Sequence, residues 1–247
     1  MASGMDLYTG LAQFSSDMYG QVVMAQTMDQ QNVLMSPLSV YVALLMTLAG
    51  TGGQTRLELQ QSMRLPPELE GAPLHDMFGS ALRKISSESK YVTASLANRL
   101  FVLQNMNIRD EFEDILNKSY SAETEVLVDY ADMEAKRQRI NQWVSEQTNS
   151  KIPELLSAGA LQEKSIMTIV NTVYFKGKHH HCSHMFMFFK GLWKLQFDKQ
   201  MTSNGLFHRI DGSAVEVPMM KARNYFPYQD LPELQAVAVK LPFRDTA

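Results

Sequence analysis

Between Ser165 and Gln196 a strongly strand-forming run meets a stretch of quite different character. Residues 166–177, IMTIVNTVYFKG, carry mostly β-branched and aromatic side chains and end in a glycine turn. They read as a strand buried on nearly both faces, which demands a sheet set inside a substantial core. Fourteen residues, KHHHCSHMFMFFKG at 178–191, follow before an apolar pattern resumes at Leu192-Trp193-Lys194-Leu195-Gln196-Phe197. The tripeptide Phe175-Lys176-Gly177 recurs as Phe189-Lys190-Gly191, so 178–191 lifts out in frame to leave VNTVYFKGLWKLQFDKQMT. Residues 178–191 therefore read as an insertion of exon-boundary character inside one strand-turn-strand unit.

The chain has 247 residues, enough to bury a sizeable core in one large domain. Its 45% hydrophobic and 20% charged content is ordinary for a globular protein. A net charge of −3 offers no general attraction to nucleic acid or to an anionic membrane, and no apolar run approaches the length of a bilayer span. The single cysteine, Cys182, excludes an intrachain disulfide. The opening MASGMDLYTGLAQFSSDMYG has neither a basic n-region nor an apolar h-region, so it is not a signal peptide. A cytoplasmic location is the expectation, with an extracellular one as the alternative. Without a secretory signal, the sequon Asn117-Lys118-Ser119 is expected to be unused.

Helices are expected early and strands late. Leu11, Phe14, Met18, Val22 and Ala25 mark a helix over 11–28. Ser36 as N-cap and Pro37 in the first turn open a helix over 38–49 that is apolar almost all round and belongs inside the protein. Gly50, Gly52 and Gly53 end it and lead into a more polar helix over 54–63. Further helices are expected at 74–87, 108–120 and 133–147, and strands at 91–103 and 125–128. Past the insertion the pattern predicts strands at 206–210, 215–220, 225–228 and 234–241. The whole reads as one mixed α+β domain without internal repeats.

Few residues offer chemistry. His179-His180-His181-Cys182-Ser183-His184 holds good zinc or copper ligands, but adjacent donors converge poorly on one tetrahedral centre. No second ligand pair exists to complete a site, and His75 and His208 stand alone, so no metal or other cofactor is expected. Met185–Phe189 would make a sticky exposed segment. There is no G-x-S-x-G elbow, no H-E-x-x-H, no phosphate loop and no dinucleotide fingerprint, so an enzyme is not expected. Arg83, Lys84 and Lys90 read as a solvated face rather than a polyanion site. The methionines scatter through apolar positions as core filling.

Outside 178–191, several segments in register resemble the serpins, the serine protease inhibitor superfamily. NVLMSPLSVYVALLMTLAGTGGQT at 32–55 is similar to the family's first core strand, buried helix and turn. ANRLF at 97–101 is similar to a long strand of its main sheet, and INQWVSEQTNSKIPELL at 140–156 to the helix lying across that sheet. VNTVYFKG at 170–177, TSNGLFH at 202–208, VEVPMM at 215–220 and VAVKLPF at 237–243 follow in the family's order.

The resemblance implies a mechanism. An exposed reactive loop baits a protease, is cleaved, and inserts as a new strand into the main sheet, trapping the acyl-enzyme. It also implies that Ser36, Ser39 and Asn171 match the polar shutter beneath the opening strands, and that Trp193 matches the indole at the breach where insertion starts. None of these is catalytic. The family continues well past the LPF at 241–243, so the expectation for 1–247 is a partial serpin domain lacking the reactive loop. A full-length form would have a serine or cysteine protease as partner, whereas this chain alone is expected to be noninhibitory and to self-associate through open strand edges. A noninhibitory binding or chaperone protein is the alternative reading. A metal-binding role for 179–184 is the more distant one.

Overall fold

The computed structural model describes residues 4–25, 33, 35–85, 92–177, 187–188, 195, 197–209, 211–234 and 236–241. They fall into two compact units: up to residue 85 with 93–176 and 187–188, and residues 92, 177 and 195 onward.

The first unit is built around one buried helix. Its elements are α1 (Gly4–Ala25), α2 (Pro37–Ala49), α3 (Gly53–Ser62), α4 (Gly71–Ile85), β1 (Val92–Val102), α5 (Asp110–Tyr120), β2 (Glu123–Val126), α6 (Met133–Gln147), β3 (Met167–Gly177) and β4 (Met187–Phe188). α2 starts as its sequence dictates: Ser36 is the N-cap, its side chain accepting from the Ser39 N–H, and Pro37 occupies the first helical position. Tyr41, Leu45, Met46 and Leu48 on α2 are fully buried. They form one core with Leu74, Phe78 and Leu82 of α4, Leu100 and Val102 of β1, and Leu116 and Tyr120 of α5. Gly50 caps the far end, and a side chain there would press on the Phe112 ring, its Cβ 2.9 Å from Cε2. α5 carries Asp110, Glu111 and Glu113 in its first turn and stops at Ser121, which takes the left-handed conformation.

The sheet has the order β2-β1-β3-β4. β2 runs parallel to β1, with Arg99 opposite Glu123, and β4 runs parallel to β3, with Val173 opposite Met187. α6 lies over this sheet. Its Ile140, Trp143 and Val144 share a second core with Phe101 and Leu103 at the end of β1, Leu127 after β2, and Val170 of β3. Asp132 caps α6 by accepting from the Ala135 N–H at 2.8 Å.

The second unit holds two antiparallel hairpins, β5 (Ser203–His208) with β6 (Ala214–Met219), and β7 (Tyr228–Leu231) with β8 (Ala236–Val239). Their apolar side chains are largely exposed: Leu206 at 62%, Tyr228 at 69% and Val237 at 58%.

Helices early and antiparallel strands late are what the pattern predicts, and α6 matches its expected bounds. The differences are local. α1 begins earlier than expected, at Gly4, and α4 begins at Gly71. β2 sits two residues before the expected 125–128, because it takes its register from β1. Residues 225–227 are not strand; β7 starts at Tyr228, since Pro227 lacks the N–H a ladder needs. β3 is less enclosed at its start than its composition suggests, with Ile166 at 47% and Met167 at 36% exposed. Of the insertion, Met187 and Phe188 form β4; His179–His184 and Trp193 lie outside the described residues.

Candidate functional site

A line of hydrogen bonds runs from the start of α2 through the sheet to α5 and α4. It begins at Ser36, whose Oγ accepts from the Ser39 N–H at 3.3 Å. One turn into α2, the Ser39 hydroxyl donates to Oδ1 of Asn171 in β3. The Asn171 side-chain N–H donates to Oδ1 of Asn98 in β1. Asn98 donates in turn to the backbone carbonyl of Tyr120 at 2.8 Å, where α5 ends. The Tyr120 hydroxyl lies 2.6 Å from Nδ1 of His75 in α4. Each amide thus uses its oxygen and its nitrogen in one continuous donor-to-acceptor sense, which is how polar groups are tolerated inside a packed core.

The positions follow from local structure. Ser39 lies in the first turn of α2, the turn that Ser36 caps, and meets β3 at Asn171. Asn98 and Asn171 sit on neighbouring strands, and Thr172 also donates to the Ala97 carbonyl at 3.4 Å. α4 and α5 approach so closely that a Cβ on Gly79 would lie 2.9 Å from Cα of Ser119 and nearer still to its carbonyl oxygen. That proximity brings His75, one turn before Gly79, against Tyr120.

Electrostatics hold this end of the line uncharged. His75 is only 2% exposed, and burial, helped by repulsion from Arg56 and opposed by Asp76, lowers its pKa from 6.5 to about 4. Burial first, with Tyr41 and Asp76 adding to it, pushes the Tyr120 phenol well above the usual range. A neutral imidazole and an un-ionised phenol share one hydrogen bond. The arrangement fastens β3 to α2 on one side and to β1 on the other.

Of the residues singled out from the sequence, Ser36, Ser39 and Asn171 come together. Asn98, Tyr120 and His75 extend the line and were not anticipated. The sequence offers little signal for them: Asn98 is followed by Arg99 and His75 by Asp76, so neither stands out as an isolated polar side chain. Among the described residues no group of three His, Cys, Asp or Glu side chains is placed to hold a metal, and no helix is long and apolar enough to cross a membrane. Arg83, considered for a polyanion site, instead donates to the Lys118 carbonyl at 3.2 Å.

A buried helix behind a sheet, a second helix across its face and a polar line between strands define a mixed α+β fold built to hold strands together. The serpin (serine protease inhibitor) family matches residues 9–182 and 185–247, so the break in the match falls inside 178–191. The chain is 31% identical to Ipis-1 of Ixodes persulcatus over 232 residues, covering 94% of this chain and 56% of that protein. It is 31% identical to serpin B6 of Pongo abelii over 215 residues, covering 87% of this chain and 54% of that one. Among solved structures, cleaved serpin 42Da superposes with a TM-score of 0.83 at 28% identity, over 98% of this chain and 60% of the other. The chain belongs to the serpin family. It spans about half the length of the curated relatives it matches.

Proposed function

We propose that this sequence serves a protease inhibitor that works by loop insertion, its target a serine or cysteine protease and its inhibitory form longer than these 247 residues. The observation that carries the reading is the bond pair at Asn171, which joins β3 both to Ser39 of α2 and to Asn98 of β1. A sheet that must admit a new strand has to stay closed until its loop is cut. Short-range, directional hydrogen bonds suit that task, because they hold at one geometry and release fully once the strands shift. Ser36 supports Ser39 through the N-cap, and Asn98 hands the restraint on to α5. In this reading the chemistry would belong to the trapped protease.

The test is a panel of trypsin-like, chymotrypsin-like, elastase-like and papain-like proteases, offered to the 247-residue chain and to the longest natural product of its gene. The longer product should form a one-to-one complex that survives denaturing electrophoresis, and the 247-residue chain should not. In the longer product, Asn171→Ala should divert a larger share of encounters from trapping to simple cleavage. Cleavage without any trapped complex across the whole panel would favour the noninhibitory reading instead.

A further inference from the structure

A cavity of about 730 Å3 opens in the first unit, between the C-terminal end of α2, the start of α3, the first turns of α5 and the first residues of β3. Its size falls in the range of small-molecule sites. Phe112 and Ile115 of α5 and Met167 and Ile169 of β3 supply an apolar floor. Phe112, Ile115 and Ile169 are only partly covered by the core beside them, and Met167 is 36% exposed. The floor is thus an apolar surface with unfilled space in front of it, which favours an apolar occupant.

The rim is cationic. Arg56 of α3 and Arg109 at the N-cap of α5 both line the opening. Neither guanidinium has an ion pair or hydrogen bond among the described residues, although Arg56 is half-buried and is felt electrostatically by His75. Among the lining residues the two arginines stand against one acid, Glu111; Asp110 and Glu113 share the first turn of α5 but do not line the cavity. Apolar floor and unpaired cationic rim together match one chemistry, an alkyl chain ending in an anion.

We infer that this cavity binds an amphipathic carboxylate of the medium-chain fatty-acid type, its chain along Phe112, Ile115, Met167 and Ile169 and its carboxylate at Arg56 and Arg109. A guanidinium recognises a carboxylate through two parallel hydrogen bonds, which a neutral alcohol of equal length cannot match. The ligand would touch α2, α5 and β3, the same elements that the polar line through Ser39, Asn171 and Tyr120 joins. Occupancy therefore resists displacement of β3 and acts as a chemical restraint on the sheet. Binding itself does not depend on the inhibitory reading, so either can fail alone.

Titration of the purified 247-residue chain with hexanoate, octanoate and decanoate tests the site. One molecule should bind per chain, and affinity should rise about fourfold for each added methylene until the floor is covered. Decanol should bind at least tenfold more weakly than decanoate. The double variant Arg56→Gln/Arg109→Gln should lose that difference while still binding decanol. Met167→Trp, which fills the cavity from β3, should weaken both ligands tenfold or more, and Met106→Trp serves the same purpose from a loop should the first variant not fold. Decanoate should also slow amide exchange in β3 and α5. Equal affinity for decanol and decanoate, an unaltered affinity in both tryptophan variants, or no saturable binding in the millimolar range would each overturn the inference.

Discussion

Arg139 of α6 grips Glu125 of β2 with two bonds, Nε to Oε1 at 2.7 Å and Nη2 to Oε2 at 3.0 Å. The same carboxylate accepts from Arg99 of β1 at 2.6 Å, and the Arg99 guanidinium lies 5.0 Å from the centre of the Trp143 ring on α6. One acid thus joins an overlying helix to two strands, and the charges involved are mostly sheltered from solvent.

Replacing Glu125 by Gln should loosen α6 more than removing either arginine, because it leaves the partly buried Arg139 guanidinium without its counter-charge and strips Arg99 of one of its two carboxylates, the other being Glu123. The expected cost is about 2 kcal/mol, against less than about 1 kcal/mol for Arg139→Met, which removes its charge along with the bond. Amide exchange across 133–147, compared between the two variants, checks the order. A larger effect for Arg139→Met would show that packing of the arginine stem, not charge pairing, fastens the helix.

Asn171→Ala should cost about 2–3 kcal/mol, since Ser39 Oγ and Asn98 Oδ1 both lose their partner in a confined space. Because the two amides share one bond, Asn98→Ala/Asn171→Ala should cost clearly less than the sum of the single changes. Urea denaturation or amide exchange of β3 measures the cycle. Additive effects would mean that the two side chains do not act as a line.

Acid should weaken the first unit through His75. Its pKa falls from 6.5 unfolded to about 4 folded, so the unfolded chain binds a proton that the folded one refuses. The stabilisation is complete above pH 6.5, declines as the pH drops toward about 4, and amounts to something on the order of 3 kcal/mol. Protonation also makes Nδ1 a donor, so the Tyr120 hydroxyl would have to accept. His75→Gln should flatten the stability profile in that window, and an unchanged slope would assign the acid sensitivity to carboxylates.

The hairpins of the second unit should drive self-association. Tyr225 is fully exposed, and Leu206, Phe207, Tyr228, Val237 and Val239 are each more than half exposed on short strands with open edges. Light scattering after size-exclusion chromatography should show mass rising with concentration. Lysine at Phe207 and Val237 should reduce it, and a concentration-independent monomer would show that these faces are inert.

How much of this could be read beforehand depended on the range of the interaction concerned. α6 was legible to the residue, because Asp132, the spacing of Ile140, Trp143 and Val144, and its polar face are all local signals. β2 was misplaced by two residues, since its register answers to Arg99 on another strand. The run of aromatics at 225–228 imitates a strand, yet Pro227 delays pairing until Tyr228. Within the site, Ser36 and Ser39 announced themselves through a helix start, and Asn171 through the motif around it. Asn98, Tyr120 and His75 did not, because each lies beside other polar residues (Arg99, Ser119 and Ser121, Asp76) and has its partner distant in the chain. Sequence spacing carries no record of which buried donor meets which acceptor.

The contact between Gly79 and Ser119 has a bearing on acid-base behaviour that its position in a helix pair conceals. With hydrogen in place of a side chain, α4 can close against α5 and keep His75, one turn away, buried. A methyl group there would wedge the helices apart and wet the ring. The imidazole would then titrate nearer to neutrality, and the Tyr120 hydroxyl would exchange its partner for solvent. The smallest residue in the chain thus acts as a gasket, and the proton affinity of a histidine is set by an atom that carries no charge at all.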